Sequence, residues 1–248
     1  MKFNKKFIVA GIMAAVISTT PLTLNTAEAG FDIGGLVKEG AKDAVKKSLN
    51  VDVEGMQNKE QQMIANLSKA AICYGQAEIH VSEALGLNPE SRAQMQAALN
   101  GLKNNRTDLG SMKLVGEAST ITKEELATAA QNLMDSGDQE KIDRANELIK
   151  QSKAERQAAN LYKGLALRDI TMLISSSVKA MAGGNLGDKL NAVQDISSAA
   201  NSAKSVTDII NAKHKAMKEG LKAYEKKNNI KEVSDKDAEK MMKDAGLE

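Results

Sequence analysis

Three side chains carry the strongest chemistry in this chain: the single cysteine, Cys73, and the two histidines, His80 and His214. Cys73 and His80 stand seven residues apart. On a helix that spacing shares a face but separates the two groups by about 10 Å along the axis. A zinc ion holds its ligands at about 2 Å, so the pair does not make a metal site. Bundle sites for two metal ions need a Glu three residues before each His. Ala77 and Asn211 occupy those positions, and only Glu83, one turn after His80, offers a weak pair. His214 together with Met56 or Met63 supplies the side-chain types that ligate haem from two sides. There is no Cys-x-x-Cys-His for attachment, however, and few aromatic residues to line a pocket. No metal and no cofactor is expected.

Nucleophilic chemistry fares no better. A reactive thiol needs nearby positive charge or a partner cysteine; Cys73 has no second Cys and only Lys69 within about one turn. It reads as a small apolar residue in a packing face, with an intermolecular disulfide as the open alternative. Gly-x-Ser-x-Gly and the phosphate-cradling glycine motifs are absent. Carboxylates are plentiful, but on amphipathic helices they are mostly solvated or paired with Lys four residues away. The aromatic residues that line sugar clefts are scarce, at 2% of the chain. The expectation is therefore no enzyme, and no catalytic, cofactor-binding or metal residue is assigned.

The elements that would position these groups begin after residue 29. Lys2, Lys5 and Lys6 precede an apolar run from Phe7 to about Ile17, and Ala27-Glu28-Ala29 has small residues where a signal peptidase reads them. Residues 1–29 are thus expected to be a cleaved signal peptide, and the protein to be periplasmic or secreted. The full chain carries 34 Lys and Arg against 32 Asp and Glu; the leader holds three of the bases and one of the acids, so 31 of each remain. That balance gives no general attraction to nucleic acid.

Beyond the leader, good helix formers dominate and strand formers are thin. Residues 31–49 form an amphipathic segment with Ile33, Leu36, Val37, Ala41, Ala44, Val45 and Leu49 near one face. From about 54 to 85, Met56, Glu60, Met63, Leu67, Ala70, Tyr74, Ala77, Val81 and Ala84 alternate steps of four and three. This is a heptad seam with one polar intruder, Glu60. Gly86 can end that helix, and Asn88-Pro89 can start a shorter one to about Leu102. Residues 103–120 read as a loop with a short turn near Met112 to Val115. Thr122 with Glu125 is a capping box opening a helix to about Asp135, and Ser136-Gly137-Asp138-Gln139 repeats the pattern.

A helix from about 137 to 182 follows, with Arg156 and Gln157 interrupting its apolar stripe and leaving its continuity open. Gly183-Gly184 stops it, and Asn185 can cap the next helix, 186–228. Ala203, Thr207, Ile210, His214, Met217, Leu221 and Tyr224 form its seam. Lys213, Lys215, Lys218, Lys222, Lys226 and Lys227 lie on its outer part; with Glu219 and Glu225 among them they read as a solvated face. Asn228-Asn229 ends the helix, and Ser234 with Asp237 can cap a short terminal one that stops at Gly246.

Each stripe must be covered by another helix. The expected fold is all-α: an elongated antiparallel helical bundle with three long helices (about 54–85, 137–182 and 186–228) and several short ones. Residues 30–232 would form one domain, and 233–248 a loosely held charged tail. The expected function is binding to a protein partner, or self-association, in the cell envelope or exterior. The alternative is a membrane-active or lipid-binding protein that uses the apolar segment 170–181 and the amphipathic segment 31–49. No nucleic acid and no small-molecule substrate is expected.

Overall fold

The computed structural model describes residues 51–183 and 186–244. The leader, the segment 31–49, Asn185 and the stop at Gly246 lie outside them. Seven α-helices, and no strand, make up the described residues: α1 (Val53–Ala84), α2 (Pro89–Asn104), α3 (Leu109–Ala118), α4 (Lys123–Asp135), α5 (Gln139–Ala182), α6 (Leu190–Lys227) and α7 (Asp235–Asp244). A short 3-10 turn, Gly187–Lys189, precedes α6. The all-α bundle with three long helices is the expected one. At about 1.5 Å per residue, α5 with its 44 residues is about 66 Å long.

Local chemistry sets most of the boundaries. The Asp52 carboxylate caps the start of α1, Asn88 with Pro89 starts α2, and Thr122 and Glu125 close a reciprocal capping box on α4. At the end of α1, Gly86 adopts φ +62°. Leu87 N–H then reaches the Ser82 carbonyl and Gly86 N–H reaches that of Glu83, which satisfies the last carbonyls of the helix. Asn229, at φ 53°, ends α6 in the same way, with Ile230 N–H on Glu225 and Asn229 N–H on Lys226. Ser234 Oγ accepts from Asp237 N–H at the start of α7.

Two expectations about helix boundaries need correction. The stretch 103–120 is not a loop: Asp108 accepts from Gly110 and Ser111 N–H and starts the ten-residue α3. Its glycines misled the reading, since Gly116 is where α3 lies against Ile209 of α6. The cap of α5 is Asp138, not Ser136, which belongs to the end of α4. The helix expected over 137–182 is a single one: α5 runs unbroken past Arg156 and Gln157, where the sequence leaves its continuity open.

The long helices order as predicted. Arg144 on α5 bonds Glu83 near the end of α1, while Lys69 lies over the Tyr162 ring, so α1 and α5 are antiparallel. Tyr224 meets Asn146, and Lys163 meets Asn211, so α6 is antiparallel to α5. Lys189 reaches the Val51 carbonyl, which puts the starts of α1 and α6 at one end. The short helices fill the other half: α2 packs Met95 and Leu99 against Gly75, and α4 packs Leu126 against Gly220.

This arrangement makes α1 the central rod. Residues 70–75 are buried without interruption. Six consecutive residues cover the whole circumference of a helix, so α1 is enclosed on all sides there. Met63, Leu67 and Tyr74 are essentially fully buried, each stabilising by about 1.5–3 kcal/mol through area removed from water. Of the segment 233–248, expected as a loosely held charged tail, α7 packs on α5 and buries Ala238; Ile230, just before that segment, is buried too.

Candidate functional site

The groups that could do chemistry lie inside the bundle, where they join helices. His80 projects from α1, with Nδ1 2.8 Å from Glu155 Oε2 on α5. The expected partner, Glu83, instead takes Arg144 at 2.8 Å. The hydrogen bond to Glu155 raises the His80 pKa above its ordinary 6.5. Burial raises that of Glu155, against the opposing pull of His80.

A second buried layer lies a turn away on α1. The Tyr74 hydroxyl donates to Glu78 Oε2 at 2.7 Å and lies 3.1 Å from Ser119 Oγ. Lys213 on α6 donates to the Ser119 carbonyl at 2.7 Å. Burial pushes both Tyr74 and Glu78 up from their ordinary values. The layer ties α1 to the end of α3 and to α6.

A third layer surrounds α5 residues 152–156, all buried. Arg156 pairs with Glu225 of α6. Lys153 Nζ lies 2.9 Å from Glu225, 3.2 Å from Glu232 and 3.1 Å from the Ile230 carbonyl. Arg156, which interrupts the apolar stripe, thus joins Lys153 in an ionic joint between α5, α6 and the turn before α7, while Gln157 donates to Asp235 of α7 at 2.6 Å. Farther along, Asp169 is fully buried, with Oδ1 3.5 Å from Arg168 Nε and Oδ2 unpaired among the described residues.

His214 sits in the α6 seam, 8% exposed, and its Nε2 accepts from Asn160 Nδ2 at 3.0 Å. Burial first, then Lys163, Arg156 and Lys218, depress its pKa to about 3, so it is a neutral imidazole at physiological pH. Cys73 is fully buried, and burial pushes its thiol up to about 12. Met56 and Met63 are core residues of α1. Thus His80 is bonded to Glu155, His214 to Asn160, and Cys73 is enclosed in the core; the three are not brought to one cleft.

Among the described residues, no group of three or more His, Cys, Asp and Glu side chains could hold a metal ion. An open groove of about 660 Å³ lies between the first half of α5 and the turn before α7, lined by Glu147, Leu148, Gln151, Asn229, Lys231 and Val233. It faces none of the histidines. Ile170, Leu173, Ser177 and Ala180 of the apolar segment 170–181 are buried in the bundle, and no described helix is long and apolar enough to cross a membrane.

Sequence reasoning missed Glu78, Glu155, Asp169, Lys153, Arg156 and Glu225 as interior groups, because charged residues are rarely buried unless paired. The one available signal was the break in the α5 stripe at Arg156. No protein-family model, curated protein or solved structure matches the chain.

Proposed function

We propose that this chain is an exported, non-enzymatic helical-bundle protein that works by binding another protein or by assembling with itself in the cell envelope or exterior. The observation that carries this reading is the placement of the reactive groups. Cys73, His214, Glu78 and Glu155 are all interior and are spent on packing and helix-to-helix bonds. A thiol pushed up to about 12 and an imidazole depressed to about 3 are matched to neither nucleophilic nor general-base work near neutrality. What such a molecule offers a partner is the outside of long, rigid helices. The signal-like N-terminus supplies the compartment.

The test is light scattering of the purified chain that starts at Gly30, together with cross-linking in intact cell envelopes. A concentration-dependent assembly or a reproducible cross-linked partner is the expected result. A monodisperse monomer, insensitive to salt and with no cross-linked product, overturns the reading.

A further inference from the structure

The outer face of α6 carries Lys215, Lys218, Lys222 and Lys226, all exposed. At about 100° per residue these four fall within about 80° of arc, along about 16 Å of helix. The two acids in the same stretch are engaged by bases of other helices. Glu225 is turned inward onto Lys153 and Arg156, and Glu219 pairs with Lys123 of α4 at 3.2 Å. Among the described residues, Lys215, Lys222 and Lys226 make no ion pair. The other exposed residues around the lysines are Asn211, Ala212, Glu219 and Ala223, so the face carries no large apolar side chain and four lysines to one exposed acid. A sequence count gives this helix mixed charge; the fold turns Glu225 inward and pairs Glu219 with a lysine of another helix.

We infer that this lysine stripe is a docking surface for an anionic lipid bilayer. Lysine is depleted at protein–protein interfaces, whose anchors are aromatic residues and Arg held in pockets. The stripe has neither. Ammonium groups on flexible stems demand no fixed partner geometry and suit a fluid layer of phosphate headgroups. With no large apolar side chain among them, contact is electrostatic and peripheral, distinct from insertion of residues 170–181. A partner protein elsewhere on the surface is compatible with it.

The experiment is sedimentation of the chain starting at Gly30 with phosphatidylcholine vesicles, with and without about one-third phosphatidylglycerol. Expected is binding to the anionic vesicles only, lost as salt rises. Lys222→Gln with Lys226→Gln should weaken it on the order of 20-fold, and replacing all four on the order of several hundred-fold. Lys236→Gln with Lys240→Gln, an equal charge change on α7, should leave it unchanged. Circular dichroism checks that each variant is folded; Gln at exposed helix positions is well tolerated. No vesicle binding, equal binding to neutral vesicles, or stripe variants that bind like the parent each overturn the inference. So does salt-sensitive binding of polyglutamate through the same lysines without vesicle binding, which assigns the face to an acidic protein.

Discussion

His80 and Glu155, 75 positions apart in the chain, are joined by a 2.8 Å bond between Nδ1 and Oε2 that fastens the central helix α1 to α5. His214, on the opposite seam, is neutral and bonded to Asn160. The two histidines therefore give pH dependence of opposite sign. The His80 pKa is raised, so the fold holds that proton more tightly than the unfolded chain does. Its stabilisation is complete below pH 6.5 and is lost as pH rises through the higher folded value. Glu155 and Glu78, also raised, act in the same direction above their ordinary 4.5. His214 is depressed to about 3, so its contribution is present above pH 6.5 and is lost as pH falls from there toward 3. Urea midpoints across pH should show that His80→Gln removes part of the loss above pH 6.5, and His214→Gln part of the loss below it. Identical pH profiles for parent and variants would count against both assignments.

Two glycines in long helices should respond to alanine with opposite signs. Gly164 of α5 is exposed, and a Cβ there meets nothing within 4 Å. Gly164→Ala should stabilise by about 0.5–1 kcal/mol through helix propensity. At Gly220 of α6 a Cβ would stand 2.7 Å from Leu126 Cβ and 2.9 Å from the Lys123 carbonyl oxygen. Gly220→Ala should destabilise by about 1–2 kcal/mol, since overpacking outweighs propensity. Thermal melts of the two variants decide; a stabilised Gly220→Ala would mean that α4 does not lie as close as described.

Lys153 anchors the C-terminal segment through Glu225, Glu232 and the Ile230 carbonyl. In Lys153→Met, Arg156 still pairs with Glu225 and Glu232 is exposed to water, so no buried carboxylate is left without a base. The loss should be about 1–3 kcal/mol and should be local. Hydrogen exchange should quicken over residues 230–244 and stay nearly unchanged in α1. Uniform acceleration, or none at α7, would rule out this anchoring role.

Cys73 should not react in the folded protein. Its side chain is fully buried and its thiol is pushed up to about 12, so thiolate is negligible near neutrality. Thiol reagents should label it only on denaturation, and non-reducing gels of the oxidised protein should show no disulfide-linked dimer. Cys73→Ser should cost about 1–3 kcal/mol, because a hydroxyl would replace the sulfur in an apolar wall. Rapid labelling without denaturant would contradict the enclosed position of α1.

Much of this architecture was determined by the sequence alone. The four-and-three spacing from Met56 to Val81 and from Ala203 to Tyr224 specified two seams, and those side chains are buried apart from Glu60. Periodicity is local: a backbone with 3.6 residues per turn puts such residues on one face whatever surrounds it. Caps are local for the same reason, as at Thr122 and Asn88. What only the tertiary structure decided is where the charges go. Nothing in the order of residues tells that Glu155 meets His80, that Glu225 turns inward to Lys153 and Arg156, or that α1 is covered on every side at residues 70–75. A carboxylate is stable inside only when a partner from a distant segment arrives beside it, and the pairing of segments across 69 to 75 positions is a property of the packed helices.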